Sequence, residues 1–267
     1  MAGHRIMASV GSLASDGKAL IFSAGGVRLA LRLSHVRELL AVPPDAGEVS
    51  VRGEPVPTAF VSTVLGLPAG PSPYALLTED PARAALRVEA LHGIVDLAEA
   101  EVFQLPARTP LPQPAPFAGA IVARGELALE LAVSTLGFAP LEPAEELPEP
   151  PPDAALGAGA ERELRFARGG RTYAVPLSLL VQILEAPEVA RVPLTPQSHR
   201  GLLHHARALH PVVDVGVLYG DAPGEGRTVL LVDAGGAGVG VVADRVLGVA
   251  EGEAEVTRPP WDALFGV

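Results

Sequence analysis

Leu20–Leu40 reads LIFSAGGVRLALRLSHVRELL, and Leu164–Leu184 reads LRFARGGRTYAVPLSLLVQIL. The two stretches align without a gap at a constant offset of 144 residues. Eight positions are identical: Leu20/Leu164, Phe22/Phe166, Gly25/Gly169, Gly26/Gly170, Ala30/Ala174, Leu33/Leu177, Ser34/Ser178 and Leu40/Leu184. In each, an apolar strand enters Gly-Gly, which supplies the positive φ of a two-residue hairpin turn. A second strand leaves it. Ser34 or Ser178 then stands where a helix N-cap is expected, ahead of a short apolar helix that spans His35–Leu40 in the first copy. A duplicated hairpin-plus-helix predicts two domains of related fold.

The 267 residues suit two domains of ordinary size. Hydrophobic content of 48% is ample for two cores, yet no apolar run reaches the ~18 to 20 residues of a membrane span. The Ile6–Ala14 stretch is too short and too interrupted by Ser and Gly for a signal peptide. With no cysteine, thiol catalysis, disulfides and thiolate metal sites are excluded. The formal charge of −11 is concentrated: Ala139–Glu161 holds six acids and no base, which leaves −5 for the remainder. No basic stripe exists, so nucleic acid is not an expected partner.

Short strands punctuated by Gly and Pro are predicted throughout the first copy, at Ala19–Ala24, Val27–Leu33, Tyr74–Thr78, Ala84–Leu91, Gly93–Asp96, Val102–Leu105, Phe117–Ala123 and Glu126–Leu131. Ser62 is expected to cap a short helix ending near Gly66. This pattern indicates an all-β, barrel-like architecture. Residues 139–161, with Pro140, Pro143, Pro148 and Pro150–Pro152, read as a semi-rigid solvated spacer. The expected boundaries are 18–138 for the first domain, 139–161 for the linker and 162–267 for the second domain. In the second copy, Pro211–Gly220 repeats Pro57–Gly66, and strands at Val229–Val232 and Gly238–Ala243 repeat those at Tyr74 and Ala84.

At this point the chain resembles the CheW-like domain, the adaptor module of bacterial chemotaxis. The resemblance is carried by the opening hairpin, the Gly47…Arg52-Gly53…Pro57 stretch, Pro211-Val212-Val213-Asp214, and the strand Gly238–Ala243 ending at Asp244. It implies that each domain is a pair of small five-stranded β-barrels with short helices. It also implies a cytoplasmic, non-catalytic scaffold without cofactor. Such a scaffold couples the regulatory domain of a chemotaxis histidine kinase to the cytoplasmic tip of a chemoreceptor, with no direct membrane insertion. The partner-binding residues the resemblance implies are Arg52, Gly53, Glu54, Val56 and Asp214. The copies depart from the pattern in opposite ways: Ala206-Arg207 replaces the Arg-Gly pair in the second, and Phe60 replaces the aspartate in the first.

Leu264–Val267 aligns with Phe117–Ala120, so the second copy lacks the closing hairpin. Met1–Ser15 is a candidate to supply it, in a circularly permuted second domain. An uncovered strand edge is an aggregation liability, which motivates the idea.

No residue set points to catalysis or to a metal. Gly235–Gly240 lies between strands, whereas a phosphate-binding loop needs a helix after it, and Lys18 is the only lysine. His199, His204, His205 and His210 are the one histidine cluster. In an extended segment His204 and His210 would stand roughly 20 Å apart, beyond the reach of one ion. Two other readings stay open. One is a divergent CheW-like duplicate with a partner outside chemotaxis. The other is a small-ligand-binding β-barrel, which would need converging polar groups in a concave pocket.

Overall fold

The structure is a computed structural model that describes residues 17–44, 46–51, 53–78, 83–146, 162–233, 236, 238–250 and 256–264. Two units cluster separately. The first takes the described residues up to Leu105, with Leu111–Ala144 and Val192–Leu194; the second takes Pro106–Pro110 and the described parts of Glu145–Arg191 and Thr195 onward.

In the first unit, β1 (Lys18–Ala24) and β2 (Val27–Arg32) form the expected hairpin. Gly25 and Gly26 have φ of +56° and +77°, the conformation that glycine adopts without a Cβ penalty. A Cβ on Gly25 would also lie 2.4 Å from Leu67 Cβ, so the turn packs directly on that side chain. β1 pairs with β9 (Ala90–Asp96), and β2 pairs in parallel with β12 (Glu126–Leu131) through Leu29↔Leu129 and Ala30↔Glu130. β11 (Phe117–Ala123) and β10 (Glu101–Phe103) complete a six-stranded sheet of order β10-β11-β12-β2-β1-β9. The parallel junction is clamped by Arg32, whose Nε donates to Glu130 Oε1 at 2.5 Å; this hydrogen bond to a buried carboxylate raises the Arg32 pKa.

A second sheet has the order β3 (Val36–Ala41), β7 (Tyr74–Thr78), β8 (Ala84–Val88), β6 (Thr58–Phe60), beside a two-stranded hairpin of β4 (Val49–Val51) and β5 (Glu54–Val56). Helix α1 (Val61–Val64) follows β6. The helix expected over His35–Leu40 is absent. A single 3-10 turn, Leu33–His35, leads into β3, and Ser34 lies inside that turn without capping it. Six residues make too short a helix to be stable alone, whereas the same residues in a strand gain a ladder to β7 through Leu39↔Leu76 and Leu40↔Ala75. Ser62 likewise lies within α1, whose N-cap position is Phe60.

The second unit repeats this plan. β13 (Glu163–Arg168) and β14 (Arg171–Pro176) form the hairpin, with positive φ at Gly169 only, and β21 (Arg245–Ala250) pairs with β13. The turn Leu177–Leu179 takes the place of the second expected helix, and Ser178 lies within it. The larger sheet has the order β15 (Leu180–Glu185), β19 (Thr228–Asp233), β20 (Gly238–Ala243), β18 (Ala208–Val213), β17 (His199–His205), β16 (Val189–Ala190). Helix α2 (Val215–Leu218) follows β18. Phe166 and Tyr173 stack at 5.6 Å between ring centroids, in a core with Val215, Leu230, Val241 and Trp261.

The all-β architecture with short helices stands as expected. The strand ladders stay open at their ends, so the paired five-stranded barrels take the form of six-, four- and two-stranded sheets in one unit and three- and six-stranded sheets in the other.

Of Leu264–Val267, the expected counterpart of Phe117–Ala120, Leu264 alone is among the described residues. It ends helix α3 (Trp261–Leu264), whereas Phe117 begins a strand. The edge of β14 is met from the C-terminal side instead. Thr257 bridges Tyr173 in parallel, Ala174 N–H donates to Thr257 O at 3.0 Å, and Thr257 N–H donates to Thr172 O at 2.8 Å. Tyr173 is the counterpart of Leu29, so Thr257 takes the place that Leu129 of β12 holds in the first unit. Met1–Ser15, the candidate for completing this domain, lies outside the described residues.

The described part of the expected spacer is mostly exposed, yet it is hydrogen-bonded to both units. Leu141 N–H donates to Val64 O at 2.9 Å in the first unit. In the second, Glu146 accepts from Gln197 N–H at 3.0 Å and from Ser198 Oγ. Among the described residues no helix is long and apolar enough to cross a membrane.

Candidate functional site

Hairpin β4–β5 positions most of the residues expected to bind a partner. The register Val51↔Glu54 closes the hairpin, and Gly53 between them has φ of +85° with nothing near its missing Cβ. Arg52 itself lies outside the described residues. Strand alternation drives Val49 and Val56 into a cluster with Ala75, Leu77 and Ala85 and sends Ser50 and Pro55 outward, while Glu54, on the same face as Val56, is exposed because it stands at the open end of the hairpin. Thr58 ties the base of the hairpin: its Oγ1 accepts from Val49 N–H at 3.2 Å and donates to Val56 O at 2.9 Å. Val56, expected at the partner surface, is therefore a core residue at 3% exposure.

Glu54 pairs with Arg83 at 3.0 Å, both well exposed. An ion pair in that setting adds little to stability, so the two side chains are available to a competing charge. Beside them a cavity of about 290 Å³ lies between β3, the hairpin and β7. Arg37, Glu38, Glu54 and Arg83 ring it, and Val51, Leu77 and Thr78 make up the rest of its lining. This lining suits the capture of an apolar side chain from a partner that also presents charges of both signs at the rim. Arg37, Glu38 and Arg83 were not among the residues expected from sequence.

The second unit presents an equivalent surface with different chemistry. The registers Glu38↔Leu77 and Gln182↔Leu231, Thr78↔Ala84 and Val232↔Val239, and Val51↔Glu54 and His205↔Ala208 match the two units residue by residue. Arg37, Glu38, Glu54 and Arg83 thereby correspond to Val181, Gln182, Ala208 and Gly238, so all four charges are gone. The counterpart turn, Ala206-Arg207, holds φ of +49° and +61° without a glycine.

Asp214, the expected partner-binding residue of the second copy, has no exposed surface and cannot face a partner. Arg168 Nε donates to its Oδ1 at 2.7 Å, and a second Arg168 nitrogen donates to Oδ2. Asp214 Oδ1 also accepts from Gly216 N–H at 3.2 Å, which makes it the N-cap of α2. Arg168 NH1 reaches Asp244 at 3.1 Å, and Asp244 Oδ2 accepts from Gly169 N–H at 2.8 Å. The hydrogen bond to Asp214 raises the Arg168 pKa above its ordinary value, so the guanidinium stays charged. A Cβ on Gly224 would fall 2.4 Å from Arg168 NH1, so the guanidinium is sealed in by backbone.

The first unit solves the same position with Ala24 and Phe60, the counterparts of Arg168 and Asp214. It buries a different cation: Arg87 lies 5.1 Å from the Phe60 ring centroid, and it donates to the carbonyls of Ser72, at 2.9 Å from Nε, and of Pro43, at 2.8 Å. The aspartate that the sequence singled out is thus half of a buried pair whose other half is 46 residues away.

The histidine segment is a hairpin rather than one extended run, because Leu203↔His210 and His204↔Leu209 are paired across β17 and β18. His205 Nε2 lies 3.0 Å from Gln182 Oε1, and His210 Nδ1 lies 3.1 Å from Gly238 O. His199 is buried, and desolvation lowers its pKa to about 4. The glycine-rich stretch joins strands β19 and β20, and Asp233 Oδ1 accepts from Gly236 N–H at 2.8 Å in the intervening turn.

No curated protein matches this chain. Among solved structures, it is similar to the scaffolding protein TtCheW from Thermoanaerobacter tengcongensis, at 17% identity and a TM-score of 0.33, over 35% of this chain and 66% of that one. The CheW-like domain family matches residues 18–137 and 163–265, which together make up well over half of the sequence. The two matched segments correspond to the two copies of the hairpin with which the sequence opens, and the chain belongs to the CheW-like domain family, with two such domains in tandem.

Proposed function

We propose that this chain is a non-catalytic adaptor of bacterial chemosensory signalling whose first domain carries the partner-binding surface. The observation behind this reading is the charged cavity beside hairpin β4–β5, where Glu54, Arg37, Glu38 and Arg83 converge around an apolar lining. The second domain lacks all four charges and buries its aspartate. Arg52, Gly53 and Glu54 supply register at the rim, while Val51 and Leu77 supply apolar contact. The partners are the regulatory domain of a chemotaxis histidine kinase and the cytoplasmic tip of a chemoreceptor, and the adaptor acts in the cytoplasm by holding them together.

The test is calorimetric titration of the full chain with that kinase domain from the same cell. Binding in the micromolar range is expected, weakened about tenfold or more by Glu54→Ala or Arg52→Ala, with Val181→Ala leaving it unchanged. Binding that ignores both first-domain variants would move the surface elsewhere. No binding at all would favour a CheW-like duplicate with a partner outside chemotaxis.

A further inference from the structure

β15 is an edge strand of the second unit's six-stranded sheet, and Val181 and Ile183 on it are 59% and 40% exposed. Among the described residues no strand pairs with its outer side. β3, its counterpart, is also an edge, but it carries Arg37 and Glu38 where β15 carries Val181 and Gln182. Leu39, at the position of Ile183, is half-buried. Both strands have a register irregularity at the same point, between Val36 and Glu38 and between Leu180 and Gln182, so that feature does not separate them. The charges do. Covering an edge that bears exposed charges strips their hydration, which is why natural edges carry them; an uncharged, β-branched edge offers its open main chain without that cost.

We propose that β15 is a self-association edge, at which two copies of this chain pair β15 to β15 about a two-fold axis. Such pairing sets the strand antiparallel to itself, so a charge near its centre would face its own like in the other copy. Leu180–Leu184, Leu-Val-Gln-Ile-Leu, carries no charge, and Glu185 stands at the end of the strand. The same neutrality leaves no ionic feature with which to select a charged partner, whereas a second copy brings a matching neutral edge. The pairing buries Val181 and Ile183 and extends the six-stranded sheet across the axis. This inference does not rest on the adaptor reading.

Sedimentation velocity of the full chain, from low micromolar to high micromolar protein, tests it. The wild type is expected to pass from monomer to dimer. The double variant Val181→Arg/Gln182→Glu, which installs the first unit's residues at the same register, is expected to weaken that step about tenfold or more, with unchanged circular dichroism and with unchanged melting at the low-micromolar end, where both proteins are monomers. Ile183→Lys is a second variant with the same expected effect. Ile94→Lys, at an exposed apolar residue of β9 in the first unit, is expected to leave the dimer intact. A wild type that stays monomeric overturns the proposal, as does a dimer indifferent to both β15 changes. Loss of the dimer in Ile94→Lys alone would place the contact on another face and overturn it too.

Discussion

Arg168 and Asp214 form a two-pronged ion pair with side-chain exposures of 2% and 0%. The first unit holds Ala24 and Phe60 at the same two positions, so one fold tolerates an ionic and an apolar solution to the same contact. Removing one partner of a buried pair costs about 3–5 kcal/mol when the other charge is left without a partner. Asp214→Ala leaves Arg168 with Asp244 at 3.1 Å alone, so it is expected to lose somewhat less than that in the second unit, read by urea unfolding. Arg168→Ala/Asp214→Phe, which transplants the first unit's residues, is expected to be more stable than Asp214→Ala alone. A double variant as damaged as the single would show that packing, not the unpaired charge, sets the loss.

The two hairpin turns make opposite predictions. Gly53 holds φ of +85° in open space, so Gly53→Ala adds backbone strain without a clash and is expected to destabilise the first unit by about 1 kcal/mol. Ala206 holds φ of +49° in the counterpart turn, a conformation that asparagine tolerates better than alanine. Ala206→Asn is expected to stabilise the second unit by about 0.5–1 kcal/mol. Thermal melts of the two variants should shift in opposite directions.

His199 couples the second unit to pH. Burial lowers its folded pKa to about 4, below its ordinary 6.5, so the unfolded chain binds the proton more readily. Its contribution is complete above about pH 6.5 and is lost as the pH falls toward about 4, at up to roughly 1.4 kcal/mol per pH unit. Wild type and His199→Leu compared across that window should show a shallower pH slope in the variant. The carboxylates titrate alike in both proteins, so equal slopes would sink the assignment.

Trp261 is the only tryptophan of the chain, and it packs in the second unit's core with Nε1–H donating to Ala174 O at 3.2 Å. Trp261→Ala is expected to cost about 3–5 kcal/mol by leaving a cavity. In the wild type, tryptophan emission should be blue-shifted and should report the unfolding of the second unit alone. Emission already at its solvent-exposed wavelength in the folded protein would contradict this packing.

The duplication, the Gly-Gly hairpins and most strands were legible in the sequence because each is local. A turn needs two residues of suited φ, and a strand needs alternation over five or six. Phe117–Ala123 and Glu126–Leu131 end where the residues said they would. What could not be read locally went to the ladders and the core. His35–Leu40 has the composition of a short helix, yet its main chain is satisfied by β7, more than thirty residues on. Asp214 carries no local sign of burial, because a carboxylate can be buried only where a partner from elsewhere in the chain arrives, here Arg168. For Arg37, Glu38 and Arg83 the only sign in the sequence is their replacement by Val181, Gln182 and Gly238 in the other copy. The sequence by itself determined how many domains there are, their fold class and where each hairpin turns, because those follow from backbone propensity and side-chain period. Only the tertiary structure decided which polar residues are core and which are rim, because burial and charge pairing depend on neighbours that chain order does not specify.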